Sequence, residues 1–220
     1  MARFVVTGAS RGIGLEMVRQ LNARGEDVIA AVRHVTPALE AIGCEIAEGV
    51  DVTTDDGAER LVGALKGRRV DVLVNNAGLL ISDTLQTLDF DNALKQYEVN
   101  ALGPLRITRA LLPLMETGSK VVIVTSRVGS LTDNASGGNY GYRMSKAAAN
   151  MAVVNLSIEL KARGIAVAAL HPGYVRTDMT HGNGNIDPAA AARGLLLRID
   201  ELDMERTGTF WHAEGYPLPW

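Results

Sequence analysis

The sequence predicts one doubly wound α/β domain, a seven-stranded parallel sheet with helices on both faces. Three observations carry this. Short runs rich in Val, Ile and Ala recur along the 220 residues, and such near-continuous apolar runs suit strands covered on both sides. Helical stretches separate these runs, so successive strands need right-handed crossovers and pair in parallel. A glycine-rich turn, TGASRGIG, follows the first run and opens the first helix.

The elements follow in order. Phe4–Thr7 (FVVT) reads as the first strand, and helix 12–24 starts inside the glycine turn. Val28–Val32 (VIAAV) is the second strand, and a weaker one lies near Glu45–Ala47. Helix 55–66 leads to Val70–Asn75 (VDVLVN), and a long helix is expected over 89–115. Val121–Ser126 (VVIVTS) precedes helix 140–163, Ile165–His171 (IAVAALH) follows it, and helix 188–200 ends at a weak strand over Thr207–Trp211. No linker, repeat or low-complexity tract interrupts the pattern, so residues 1–220 read as one domain.

Composition narrows the function classes. Hydrophobic content is 47% and charged content 21%, ordinary for a globular chain. Cys44 is the sole cysteine, which excludes an internal disulfide. The net charge is −3, and no cluster of Lys and Arg with interleaved aromatics marks a nucleic-acid surface. The apolar runs at 147–154 and 165–170 fall well short of the roughly 20 residues of a membrane span. Met1-Ala2-Arg3 leads at once into a strand, leaving no room for a signal peptide. A cytoplasmic protein without a metal site is expected.

In a doubly wound sheet, ligands bind beyond the carboxyl ends of the strands. The glycine turn lies there. Gly8 permits a sharp turn, Gly12 a close backbone approach, and Gly14 tight packing of the helix on the sheet. The helix N-terminus offers free N–H groups and partial positive charge to a pyrophosphate. The spacing is G-x-x-x-G-x-G, not the common dinucleotide fingerprint G-x-G-x-x-G. A ligand-free glycine turn is the competing reading. The end of the second strand reads Ala31-Val32-Arg33-His34, without the acid that would read an adenosine ribose. Arg33 stands there instead, and Arg11 is a second cation in the turn. Two guanidiniums suit a 2′-phosphate, which favours NADP with NAD as the alternative; two solvated surface arginines are the other possibility.

Tyr142 and Lys146 lie four residues apart in NYGYRMSKAAANMAVVNL, one helical turn on the same face. A free phenol titrates near about 10, and an adjacent ammonium would favour the phenolate and bring it toward the working range. Two surface residues on an ordinary helix would give the same spacing.

Together these features resemble the short-chain dehydrogenase/reductase family. TGASRGIG matches its cofactor signature, and Asn75-Asn76-Ala77-Gly78 resembles its NNAG motif. Asn100 in YEVNALGP, Ser126 in VVIVTSRVGS, Tyr142 and Lys146 fall at the positions of the family's catalytic tetrad. Pro172-Gly173 in LHPGYVRTDM resembles the PG motif, and Asp51-Val52 the pair that flanks the adenine ring. The likeness runs from about residue 3 to residue 180. It implies cofactor contacts from Gly8, Ser10, Arg11, Gly12, Ile13, Gly14, Arg33, Asp51, Val52, Asn75, Ala77, Gly78, Tyr142, Lys146, Pro172, Gly173, Val175 and Thr177.

It also implies carbonyl/alcohol interconversion. Tyr142 would be the general acid/base, Ser126 would hold the substrate oxygen, and Asn100 would fix a water linked to Lys146. Tyr142 follows Ser126 by sixteen positions, and the tail GTFWHAEGYPLPW is short. Both features resemble the small branch of C-factor-like proteins and carbonyl reductases. THGNGNID at 180–187 stands where many members have a helical substrate lid. The helices at 89–115 and 140–163 resemble the pair that members pack into a dimer, so a homodimer or homotetramer is implied. An NAD(H)-linked alcohol or diol dehydrogenase, and a dinucleotide-binding signalling protein without turnover, remain as alternatives.

Overall fold

The computed structural model describes residues 1–220. Seven parallel strands form one sheet: β1 Arg3–Thr7, β2 Asp27–Val32, β3 Glu45–Glu48, β4 Val72–Asn75, β5 Lys120–Val124, β6 Ala166–His171 and β7 Thr209–His212. Their order is β3-β2-β1-β4-β5-β6-β7. The order therefore reverses between β1 and β4, where crossovers leave in opposite directions and open a crevice.

Alternate residues of each strand feed two cores. Val5, Val121, Ile123, Val167 and Ala169 pack on one face, against helices α3 Asp55–Leu65, α5 Gly103–Leu111 and α6 Tyr140–Glu159. Phe4, Val6, Val122, Val124 and Leu170 pack on the other, against α1 Gly12–Ala23 and α7 Pro188–Glu201. Three helix starts have a local cause. The Thr54, Asp89 and Asp187 side chains cap α3, the helix α4 Phe90–Tyr97, and α7. No helix is long and apolar enough to cross a membrane.

The structure departs from the expected boundaries in four places. A one-turn helix, α2 Pro37–Glu40, precedes β3, with proline at its first position. β4 begins at Val72, because the Val70 N–H leaves the sheet to bond the Leu114 carbonyl at 2.8 Å. β5 stops at Val124, so Ser126 lies beyond the strand. The helix expected over 89–115 is broken by a π-helical turn at Glu98–Leu102, between α4 and α5. Pro104 has no N–H to return to the Asn100 carbonyl, and the Gly103 N–H reaches back five residues to Glu98.

Candidate active site

The crevice beyond β1 and β4 is built on glycine. Gly8 has φ +66°, and a Cβ there would lie 2.7 Å from the Ala77 Cα. A Cβ on Gly14 would strike the Gly8 carbonyl at 2.4 Å and the Asn76 amide at 2.5 Å. Arg11 stands at the N-cap of α1 without a side-chain cap bond, and the N–H groups of Gly12, Ile13 and Gly14 have no acceptor in the chain. A helix start with three such donors is the donor set a pyrophosphate needs, so the residues fit a dinucleotide.

Two residues to which the sequence assigned no role, Thr7 and Asn76 of the NNAG motif, shape this crevice. The Thr7 hydroxyl accepts from the Asn76 N–H at 3.0 Å and the Ala77 N–H at 3.1 Å. The Asn76 side chain donates to the Thr7 carbonyl at 3.0 Å and the Gly8 carbonyl at 3.2 Å. Together they tie the two loops at the switch point. The available signal was a polar residue ending an apolar strand, since a buried polar group needs partners.

The adenosine side is less constrained. Arg33 is exposed just past β2. The Arg11 guanidinium lies 3.4 Å from the Asp178 carboxylate with 73% of its side chain exposed, a pair that contributes little. The Ser10 carbonyl accepts from the Thr36 hydroxyl at 2.9 Å. Burial pushes the Asp51 carboxyl up, but bonds from the Thr53 N–H and hydroxyl, with Arg33 and Arg106 nearby, hold it below its ordinary range. Val52 is buried against Gly103. Asn75 is buried, and its amide donates to Thr108 of α5 at 3.2 Å. That side chain serves the packing of α5 on the sheet, because a buried amide at a strand end must find a partner. Gly78 adjoins Asn100.

Tyr142 is the third residue of α6, and Lys146 follows one turn later. Both are buried, at 9% and 4% exposure. The Lys146 Nζ sits 5.7 Å from the Tyr142 ring centroid and donates to the Val124 carbonyl at 3.0 Å. Gly129 lets the turn after β5 pack on the backbone of α6, since a Cβ there would lie 2.7 Å from the Lys146 carbonyl carbon. Ser126 caps the short turn Arg127–Gly129, its hydroxyl accepting from the Val128 N–H at 3.4 Å.

The electrostatics differ from the expectation. Burial pushes the Tyr142 phenol up to about 12, against a smaller pull downward from Ser126. Burial also pushes the Lys146 ammonium down to about 8. Burial disfavours the charged form of each group, so the expected lowering of the phenol by Lys146 does not occur in the chain by itself.

Asn100 lies in the π-helical turn, buried. Its Oδ1 accepts from the Leu79 N–H at 2.8 Å, and its Nδ2 donates to the Leu79 carbonyl at 2.7 Å and the Ser145 hydroxyl at 2.9 Å. The side chain thus fastens the loop after β4. After β6, Gly173 has φ +91°, and a Cβ there would meet the Ile186 Cδ1 at 2.5 Å. Val175 is buried and pairs with Ile186, and Thr177 packs beside Gly12, whose Cβ would stand 3.5 Å from its Cγ2. Asp178–Thr180 forms a single 3-10 turn, and residues 181–187 contain no helix. His171 packs edge-on against His212, ring centroids 5.0 Å apart. It is pushed down to about 3 by burial, then by His212, Arg127 and Lys146, so it stays neutral.

The family model for short chain dehydrogenases matches residues 3–186. The chain belongs to that family. It is 46% identical, over the full length of both chains, to 1-hydroxy-2-glutathionyl-2-methyl-3-butene dehydrogenase of a Rhodococcus species. It is 44% identical to the C-signal protein of Myxococcus xanthus, over 69% of this chain and 93% of that one. A carbonyl reductase of Pseudomonas aeruginosa in complex with NADP superposes on all of both chains with a TM-score of 0.89 at 30% identity. This short-chain dehydrogenase is thus an oxidoreductase of the C-factor-like and carbonyl-reductase-like branch.

Proposed function

We propose that this chain is a cytoplasmic NADP(H)-dependent oxidoreductase that interconverts a carbonyl and an alcohol. One observation carries the reading: Ser126 and Lys146 both lie against Tyr142, with Lys146 anchored to the end of β5 at the carboxyl edge of the sheet. The N–H groups at the start of α1 would hold the dinucleotide phosphates, with Arg11 and Arg33 toward a 2′-phosphate. Ala77, Gly78, Pro172, Gly173, Val175 and Thr177 would wall the nicotinamide end, with Asp51 and Val52 at the adenine. A bound nicotinamide supplies or accepts the hydride.

The protein groups handle the proton. With its phenol pushed up to about 12, Tyr142 holds its proton at neutral pH and can give it to the oxygen of a carbonyl under reduction. Ser126 would donate to the same oxygen and stabilise its developing charge. Lys146 would align Tyr142 and the ribose, and Asn100 would fix the loop that faces them. Reduction is the favoured direction because NADPH commonly serves as a reductant.

The Rhodococcus relative is named for a hydroxylated glutathione conjugate, so hydroxyalkyl glutathione thioethers belong beside simple aldehydes and ketones in a substrate panel. Purified protein assayed by nicotinamide absorbance should consume NADPH with a carbonyl of that panel, or form NADPH from NADP⁺ with one of its alcohols. A preference for NADH of about tenfold or more would favour the NAD-linked alcohol or diol dehydrogenase. Likeness to the C-signal protein supports a second reading, a dinucleotide-binding signalling protein, and biological activity in a variant without turnover would favour it.

A homodimer or homotetramer completes the proposal. Phe90, Leu94 and Tyr97 of α4 and Met144, Met151 and Ile158 of α6 are exposed on adjoining helices, an apolar stripe that a second copy would cover. A light-scattering mass of one chain would contradict it.

A further inference from the structure

The helix that carries Tyr142 begins poorly. Its N-cap residue, Asn139, has a left-handed backbone (φ 48°, ψ 48°), and its side chain makes no cap bond. Its second residue is Gly141, a weak helix former. Glycine is required there, because a Cβ would lie 2.5 Å from the Gln96 amide and 3.0 Å from the Ala93 Cα. Tyr142 comes next, inside a first turn whose N–H groups have no partner within the helix.

Asp83 supplies the missing acceptors from 57 residues upstream of Tyr140. Its Oδ1 accepts from the Tyr140 N–H at 2.5 Å and its Oδ2 from the Gly141 N–H at 3.2 Å. Its own backbone is locked in return: the Asn139 N–H donates to the Asp83 carbonyl at 2.9 Å, and the Asp83 N–H donates to Asn139 Oδ1 at 3.4 Å. The segment leading to it is fastened at every second residue. Asn100 holds Leu79 through both backbone groups, and Gln96 Oε1 accepts from the Ile81 N–H at 2.9 Å. A negative group at a helix start is also favoured by the helix dipole.

We infer that Asp83 is a positioning residue, a cap contributed from the loop after β4 that fixes the helical turn bearing Tyr142. The inference rests on Tyr142 being the proton donor. Both Asp83 carboxylate oxygens are taken up by backbone N–H groups of the helix start, so its loss should act on kcat and leave cofactor binding alone.

Asp83→Ala removes both acceptors. Its kcat with NADPH should fall about 10- to 100-fold, as misplacement of a reacting group does, with the NADPH Kd unchanged and Tm lower by a few degrees. Asp83→Asn keeps an Oδ1 acceptor for Tyr140 and should recover most of the lost kcat; it also supplies the comparison if the alanine variant does not fold. In a Tyr142→Phe background, Asp83→Ala should lower residual turnover no further. An unchanged kcat in Asp83→Ala, or an equal loss of NADPH affinity, overturns the inference alone when Tyr142→Phe is inert. Full turnover in Tyr142→Phe overturns both the inference and the reading beneath it.

Discussion

The Lys146 ammonium lies 5.7 Å from the centroid of the Tyr142 ring and donates to the Val124 carbonyl at 3.0 Å. The lysine is thus anchored to the end of β5, with the tyrosine one turn away on the same helix. Burial governs both groups, pushing the ammonium down to about 8 and the phenol up to about 12. With this ordering, Lys146 has lost its charge before Tyr142 begins to ionise, so the isolated chain keeps a protonated phenol. Four-residue spacing gave the meeting of the two side chains but not the desolvation that dominates their titration.

That desolvation predicts a pH-dependent stability. The Lys146 pKa falls on folding from 10.5 to about 8, so between these values the unfolded chain binds more protons and stability rises with pH. The burial penalty is complete below about 8 and relieved by 10.5, on the order of 3 kcal/mol. Tyr142 acts in the opposite sense, because its raised pKa lowers stability as pH climbs from 10.0 toward about 12. Denaturant titrations of the parent and Lys146→Met, run from about pH 7.5 to about pH 10, should show the rise in the parent alone. Parallel profiles would contradict a buried ammonium.

Two glycines should respond oppositely to alanine. Gly14→Ala places a methyl against the Gly8 carbonyl and the Asn76 amide, and should cost about 1–3 kcal/mol together with NADPH affinity. Gly63 lies inside α3, and a methyl group there would meet nothing within 4 Å, so Gly63→Ala should stabilise by about 0.5–1 kcal/mol. Thermal unfolding of both variants checks the signs.

Thr7→Val keeps the shape of the side chain and removes its hydroxyl acceptor. The Asn76 and Ala77 N–H groups would then lose their shared partner, at about 1–3 kcal/mol. Chemical denaturation measures this, and NADPH binding should weaken because the crevice loops separate.

Arg33→Ala tests the cofactor assignment. NADPH affinity should drop about tenfold or more, as a lost charged hydrogen bond implies, while NADH affinity stays the same. Equal effects on both would remove Arg33 from the 2′-phosphate site.

Much of this was legible in the sequence for physical reasons. The β5 run KVVIV and the β6 run AVAALH are covered on both faces, and that constraint writes a continuous apolar signal into the chain. The glycine positions were legible because only glycine fits a positive φ at Gly8 or a carbonyl contact at Gly14. The break at Glu98–Leu102 was legible in part, because Pro104 cannot return a hydrogen bond to the Asn100 carbonyl; its π-helical form, closed by the Gly103 N–H on Glu98, was not. The roles of Thr7, Asn76 and Asp83 were equally hidden: each bonds backbone groups more than 50 residues away in sequence, and no local pattern records such partners.

The most direct measurement is the NADPH-dependent reduction of an accepted carbonyl by Tyr142→Phe, with NADPH binding measured on the same preparation. Loss of the phenolic proton should lower turnover by about 100- to 10,000-fold and leave NADPH affinity intact. Turnover equal to that of the parent, with NADPH bound normally, would contradict Tyr142 as the proton donor.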